Sequence, residues 1–417
     1  MASLQPIRGT HDLLKDDRRL HDQVEETAKA IAGLYGFAEV TTPIIEFTDV
    51  FARTLGDTSD VVTKEMYSFE DKGGDRITLR PEGTAGIARA FMSNGLAQLA
   101  PFKAFYRGPM FRRERPQKGR QRQFHQIGIE LIGQPQAQAD IEVVACAAQI
   151  LEGLGLGTLG DAVQLELNSL GDTDSRAAYR ETLIAYLEKY TSDLSADSRE
   201  RLHKNPLRVL DSKDEKDREI VADAPKLSES LNEASTAFFA EVREGLDRLN
   251  IPYLLNEKLV RGLDYYCHTT FEFTTTRLGA QGTVLAGGRY DGLIKMMGGP
   301  QTPGVGWAAG VERLALLVGE APAAEGPVAV IPVGGDQAAL ALEITQRLRK
   351  AGIATDLGYS GNMKKRLTRA NNAGARAAII LGSDEVARGG ATFRDMVSGE
   401  QKEVPLADLE EILKAGL

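Results

Sequence analysis

Seven basic residues fall between positions 107 and 122: Arg107, Arg112, Arg113, Arg115, Lys118, Arg120 and Arg122. Only Glu114 opposes them, so the stretch is locally +6 in a chain of net charge -9. An acidic chain that gathers positive charge in one place calls for a local anionic partner. Arginine suits phosphate there, because its planar fork makes two hydrogen bonds and does not deprotonate. A solvated basic hairpin tip accounts for the charge equally well. A second basic run lies late in the chain, with Lys364, Lys365, Arg366, Arg369 and Arg376 and no acid among them. A solvated helix face would explain that run alone, but two basic patches favour a long polyanion such as RNA over a lone nucleotide.

These cations need a frame. KAFYRGPMF alternates and is aromatic, RPQKGRQR is a loop, and QFHQIGIELIG alternates again, with Phe124, Ile127, Ile129 and Leu131 as its apolar set. The pattern predicts an antiparallel pair with arginines at its mouth. Upstream, residues 18–35 keep helical spacing through Leu20, Val24, Ala28 and Ile31, and a strand broken by Pro43 follows. Residues 65–80 form a hairpin around DKGGD, and Thr84 reads as the cap of the next helix. Asp140 reads as the cap of another helix, and residues 163–171 as a strand. The highly charged stretch 172–226 reads as a helical insertion with solvated charges. Strands resume near 251 and across LVRGLDYYCHTTFEF. Gly287, Gly288 and Gly292 allow either close approach to a ligand or a tight turn. A helix follows Gly310, with Arg313 as its odd charged member. Beyond the Ala/Pro/Glu/Gly link at 320–327, strands alternate with helices, one capped by Asp336 and one starting from Asn362, which predicts a small, mainly parallel α/β domain.

The composition narrows the function. The chain has 417 residues, 42% of them hydrophobic, which is ordinary for two to four globular domains. The N-terminus lacks the apolar core of a signal peptide, and no long apolar run is present, so no membrane span is expected. Two distant cysteines, Cys146 and Cys267, fit a reducing cytosol. The five histidines are scattered without HExxH spacing, so no metal ligands are expected among them, and His11, His125 and His268 read as structural.

Taken together, the motifs resemble the histidyl-tRNA synthetase family, within the class II aminoacyl-tRNA synthetases. The first helix with the Pro43 strand resembles motif 1, FRRERPQKGRQRQFHQ motif 2, and GVGWAAGVERL motif 3. LVRGLDYY and AGGRYDG resemble the family's two histidine-recognition segments, and TLRPEGT and NPLRVLDSK are further matching pieces. The resemblance implies an α+β catalytic domain on a six-stranded antiparallel sheet, a helical insertion, a C-terminal α/β anticodon-binding domain and a homodimer. The corresponding divisions are 1–171 and 227–320 for the catalytic core, 172–226 for the insertion, 321–327 for the linker and 328–417 for the anticodon domain. It further implies ATP-dependent attachment of L-histidine to tRNA(His), through a histidyl-adenylate, in the cytoplasm.

Carried over by motif, Arg112 and Arg261 would be the catalytic cations on the α-phosphate, and Arg313 would hold the γ-phosphate. Phe124 would stack on adenine and Glu114 would accept from its amine. Glu82, Thr84 and Gln126 would receive the α-ammonium group of histidine. Glu130 and Tyr266 would bind its imidazole, and Tyr265 and Tyr290 would line the pocket. Arg115, Lys118, Arg120 and Arg122, with Lys364, Lys365 and Arg369, would meet the tRNA. Mg²⁺ would accompany ATP. Some residues depart from the family pattern: Thr10 and His11, Cys267 and His268, and Trp307, which puts the pocket shape near motif 3 in question. A catalytically silent histidine sensor, of the ATP phosphoribosyltransferase regulatory-subunit type, is the alternative. The three arginines and the C-terminal domain weigh against it.

Overall fold

The computed structural model describes residues 4–415 except 57, 58, 60, 118, 157–161, 211, 213, 261–264, 280 and 281. Two compact units divide at Ala321 and Pro322. Eleven strands of the first unit are described: β1 (Ala38–Glu39), β2 (Ile45–Phe47), β3 (Tyr67–Glu70), β4 (Arg76–Leu79), β5 (Phe102–Phe111), β6 (Gln123–Ile132), β7 (Gln164–Ser169), β8 (Leu254–Leu255), β9 (Cys267–Thr274), β10 (Thr283–Arg289) and β11 (Gly304–Gly310). The large sheet runs β1-β5-β6-β11-β10-β9-β7-β8. Its six central strands are antiparallel, while β1 and β8 pair in parallel at the edges. A small antiparallel sheet, β2-β4-β3, stands apart from it. Pro43 lies where the chain leaves β1 and enters β2, so the broken strand is two strands in two sheets.

Alternation sorts the large sheet into two faces. Ile127, Ile129, Leu165, Leu167, Phe271, Phe273 and Trp307 share one core with Val24, Ala28 and Ala32 of the helix Lys15–Leu34 and with the helix Ala137–Gly153. Gln126 and Glu130 belong to the other parity of β6. Phe124 falls in that parity too, and packs with a second cluster that holds Tyr106, Tyr265, Tyr266 and Tyr290. The expected apolar set of this strand therefore mixes its two faces, because Phe124 sits three residues, not two, before Ile127.

The insertion is helical, with helices Thr173–Leu187, Ala196–Lys204 and Glu215–Ala222. Its charges are not all solvated. Asp217 is fully buried and accepts four hydrogen bonds: from Ser195 N–H at 2.8 Å, Ser195 Oγ at 2.7 Å, and Ser198 Oγ and Ser212 Oγ at 2.6 Å. Burial alone would push this carboxyl up, but the four donors outweigh it and hold it below the usual range. A further helix, Glu233–Arg248, lies outside the sequence-based expectations; it buries Val242 and Leu246.

Three capping expectations are corrected. The helix after β4 starts at Thr84 itself, with Gly83 at its N-cap. Asp336 is not a cap either: that helix is Ala338–Lys350, with Gln337 at the N-cap. Asp140 sits inside the first turn of Ala137–Gly153, and is fully buried against Arg289, which is fully buried too. Arg289 also donates to Gln134 O at 3.1 Å, Gln136 O at 3.2 Å and Asp291 Oδ1 at 3.1 Å. Burial opposes its charge, and the Asp140 and Asp291 carboxylates more than offset this, so the guanidinium stays protonated.

The second unit holds β12 (Val328–Pro332), β13 (Thr355–Leu357), β14 (Ala377–Leu381), β15 (Gly390–Asp395) and β16 (Gln401–Pro405), in the order β13-β12-β14-β15-β16. The first three are parallel, as expected from the alternation with helices. β15 and β16 add an antiparallel edge, which makes the sheet mixed. Every residue of β12 and β14 is buried, which explains their continuous apolar runs.

The Asp140–Arg289 pair yields a stability prediction. Arg289→Leu leaves a buried carboxylate without its partner and costs about 3–5 kcal/mol. Changing Asp140 to Leu as well recovers part of that loss. Urea denaturation of the three proteins measures both effects, and a single variant as stable as the parent would rule the pair out as a stabilising contact.

Candidate active site

The corner after β4 is built around a carboxylate. Glu82 Oε2 accepts Thr84 N–H at 2.7 Å and Oε1 accepts Ala85 N–H at 2.8 Å. Glu82 thus supplies the helix cap expected from Thr84, and burial raises its pKa. The freed Thr84 hydroxyl donates to Glu130 Oε1 at 2.6 Å, and the Tyr290 hydroxyl donates to Glu130 Oε2. Glu130 is 0% exposed. Burial pushes it up to about 8, against the pull of the two hydroxyls. Gly306 faces it across the β6–β11 ladder, and a Cβ there would come within 1.9 Å of Glu130 Oε2. Gly83 and Gly128 likewise leave room for the Tyr106 ring, which a Cβ would meet at 2.1 and 2.4 Å.

Above this floor lies a cavity of about 240 Å³. It brings together Glu82, Thr84, Arg112, Glu114, Phe124, Gln126, Tyr265, Tyr266 and Arg313, all expected there from sequence, and also Arg120, which the motif resemblance assigns to the tRNA. Arg112 is anchored by Nε donation to Pro81 O at 2.9 Å, and its guanidinium stands 5.4 Å from the Phe124 ring centre. Arg120 donates to Glu114 at 3.0 Å. Arg313 donates to Gly119 O at 3.3 Å and to Thr283 O, and burial lowers its pKa. Gln126 contributes a buried carbonyl oxygen without a hydrogen-bond partner, an acceptor suited to an N–H donor. The Tyr265 and Tyr266 rings stand 4.5 Å apart, with Tyr290 edge-on behind Tyr265 at 5.8 Å. A bulge aims this pair: the β9–β10 register slips between Gly288 and Arg289, where His268 takes φ +45°. The His268 backbone bonds to Gly171 and Leu170.

The remaining expected residues are placed differently. Glu130 and Tyr290 lie beneath the cavity rather than on its wall, because Glu130 is committed to both Tyr290 and Thr84. Arg115 and Arg122 line a neighbouring groove with Arg8, Lys64 and Arg113. Lys364, Lys365 and Arg369 belong to the helix Met363–Asn372 of the second unit, which starts one residue after Asn362, its cap. Arg261 and Lys118 lie outside the described residues. Trp307 turns its indole to the opposite face of the sheet and donates to Val143 O at 3.1 Å, so it leaves the cavity's shape alone. Glu312 is a residue that sequence reasoning misses; its carboxylate holds the His125 backbone N–H at 2.9 Å, and its only sequence signal is its place beside Arg313. Gly287 and Gly288 lie within β10 rather than in a turn, where Cβ atoms would meet Gly306 O at 2.2 Å and Thr269 O at 2.6 Å.

The arrangement can neutralise a phosphate chain with three arginines and hold a primary amine against Glu82 and Gln126. Comparison with known proteins gives the family. The family described as "Histidyl-tRNA synthetase" matches residues 9–314, and "Anticodon binding domain" matches residues 327–416. A histidine--tRNA ligase of Rhodospirillum rubrum is 62% identical over 414 residues, 99% of each chain. One of Gluconobacter oxydans is 53% identical over 416 residues, 100% of each chain. The apo S. aureus histidyl-tRNA synthetase superposes with a TM-score of 0.83 at 33% identity, covering 99% of this chain and 100% of that one. With the motifs, the fold and full-length relatives in agreement, the chain belongs to the histidyl-tRNA synthetase family.

Proposed function

We propose that this protein attaches L-histidine to tRNA(His) in two steps. In the first, a carboxylate oxygen of histidine attacks the α-phosphorus of ATP, and pyrophosphate leaves. In the second, a hydroxyl of the tRNA's terminal adenosine attacks the acyl carbon, and AMP leaves. Neither step needs a protein nucleophile. Both need positioning and neutralisation of developing negative charge. The observation that carries this reading is the cavity in which Arg112, Arg313, Phe124, Glu82 and Gln126 converge. Histidine-dependent exchange of pyrophosphate into ATP, followed by charging of tRNA, tests it. The silent-sensor alternative is not favoured, since ligases match the chain end to end, including its anticodon-type unit.

In this reading Arg112 meets the α-phosphate, Arg313 meets the γ-phosphate, and adenine takes the face of Phe124 that Arg112 now covers. Glu82, Thr84 and Gln126 receive the ammonium group. The imidazole enters beside Tyr266 and reaches Glu130 at the place now held by the Thr84 hydroxyl. Mg²⁺ arrives with ATP as part of the substrate. Two carboxylates on the cavity wall are committed elsewhere: Glu82 caps a helix and Glu114 pairs with Arg120. Positive charge here comes from arginine. The exposed apolar side chains Ile44, Ile45, Phe47 and Phe69, on and beside the small sheet, support a homodimer. No helix of the described residues is long and apolar enough to cross a membrane, and the cysteines are free thiols, which supports a cytoplasmic location.

Three outcomes follow. Arg112→Ala loses an oriented charge donor and lowers the exchange rate roughly 10²–10³-fold, while histidine binding without ATP survives. Isothermal titration beside the exchange assay separates the two, and a near-parental exchange rate would reassign motif 2.

Glu130→Gln raises KM for histidine about tenfold to a hundredfold and changes KM for ATP much less, because the lost contact is to the amino acid. It also alters the pH profile of stability. Folded Glu130 titrates at about 8 against an ordinary 4.5, so the folded state holds a proton that the unfolded state has released. Stability therefore falls as pH rises through that window, and the Gln variant lacks this part of the fall. Denaturation between pH 5 and pH 8, on the order of the span between those two values, reads it out. Identical slopes in the two proteins would remove Glu130 as the titrating group.

Charge reversal at Lys364, Lys365 and Arg369 weakens tRNA binding and flattens its salt dependence, since fewer counterions are released. Pyrophosphate exchange stays near the parental rate. Filter binding across a salt series checks the first point, and loss of exchange as well would point to misfolding.

A further inference from the structure

Three residues far apart in sequence meet on the helical face of the large sheet. His21 comes from the helix Lys15–Leu34, His125 from β6 and Glu312 from the helix Val311–Val318. Each offers one ligand atom, and these atoms all lie within 4.8 Å of one another. The two imidazole rings stand 5.3 Å apart and nearly perpendicular, at 87°. Glu312 Oε1 lies 2.9 Å from His125 Nδ1, and its two oxygens also take the His125 backbone N–H at 2.9 and 3.1 Å. His21 is the unexplained member. It is 4% exposed, and its Nδ1 is enclosed without a hydrogen-bond partner. A buried ring nitrogen in that state is costly unless something binds it. Beside the cluster, a second cavity is lined by His21, Glu312, His11 and Asp17.

We propose that His21, His125 and Glu312 form a binding site for a divalent transition metal ion of the zinc class, with its open coordination position facing this cavity. Two imidazole nitrogens and one carboxylate oxygen are a borderline donor set, which selects zinc-like ions over Mg²⁺ or Ca²⁺. Three protein ligands and one open position match the commonest layout of an accessible zinc site. Tetrahedral bonds of about 2.0–2.1 Å put ligand atoms roughly 3.3 Å apart. The present separations, 2.9 Å for one pair and within 4.8 Å for all, bracket that value. The ion takes one nitrogen of each imidazole and one Glu312 oxygen. It ties the first helix to β6 and to the helix that carries Arg313. His125 lies between Phe124 and Gln126, so the tie fastens the nucleotide side of the active site from behind.

The test uses the full-length protein stripped with a chelator and titrated with Co²⁺. One equivalent is expected to bind with visible d–d absorption of a tetrahedral or five-coordinate ion, and Zn²⁺ is expected to displace it while excess Mg²⁺ does not. His21→Gln abolishes the absorption. His203→Gln, at an exposed histidine of the insertion, leaves it unchanged. No absorption in the parent, or equal absorption in His21→Gln, overturns the proposal. X-ray absorption at the zinc edge of the parent protein gives an answer that does not depend on the variant folding. Imidazole and oxygen scattering supports the site, and a sulfur shell places the ion on a cysteine and overturns it.

Discussion

A carboxylate with no solvent exposure, Glu130, stands at the centre of the sheet, and the active site is arranged around keeping it there. An unpaired buried acid is costly, so each oxygen must find a donor. The donors come from two other segments: Thr84 at the start of a helix and Tyr290 just past β10. Room for the group comes from a third segment, where Gly306 has no side chain to collide with it. Four stretches of chain are therefore held in mutual register by one side chain. The same stretches carry the groups that face the cavity. Thr84 follows Glu82 by two residues, Gln126 lies four residues before Glu130, and Tyr265 packs against Tyr290. The cavity wall and the rigidity of the sheet thus share a common cause.

Charge is handled in the same economical way elsewhere. Arg289 and Asp140 are both fully buried and answer each other, while backbone carbonyls at Gln134 and Gln136 absorb the remaining donors. Asp217 in the insertion is matched by three serines. In the cavity, by contrast, Arg112, Arg120 and Arg313 crowd together around Glu114. Burial, and then the other two arginines, make the charge on Arg313 harder to hold. A polyphosphate chain would relieve that crowding, which is why the site is electrostatically incomplete by itself.

Much of this is legible in the sequence because hairpins and amphipathic helices have short-range signatures. The two hairpins, the first helix and the alternation in the second unit need only local periodicity. β11 does not read as a strand, since GVGWAAG carries the glycines of a loop. Gly306 has no room for a Cβ beside Glu130 and Ile129 O, and Gly304 none beside the Tyr290 ring, a fact of tertiary packing. Asp140 looks like a cap because caps and buried ion pairs use the same residue, and its partner is 149 positions away. Glu82 and Thr84 exchange roles for a similar reason: the Thr84 hydroxyl has a more demanding partner in Glu130. The meeting of His21, His125 and Glu312 leaves no trace in spacing, because three separate elements bring them together. Motif resemblance names much of the cavity wall, and Glu130 and Tyr290 with it, but not that these two lie beneath the wall and that Glu312 lies on it.

The order of strands has a consequence for how the chain is made. β6 pairs with β5, its immediate predecessor, but its other neighbour is β11. β11 leaves the ribosome some 170 residues later, counting from Ile132 to Gly304. At roughly 5–20 residues per second, that is a wait of about 10–35 seconds. Through that interval the β5–β6 hairpin presents a ten-residue unpaired edge, the kind of edge that recruits foreign strands. The intervening helices and the insertion can form in the meantime, since they need only local contacts. The nascent protein is thus a partly built sheet with its middle strand missing, and a chaperone that shields strand edges has the longest opportunity here.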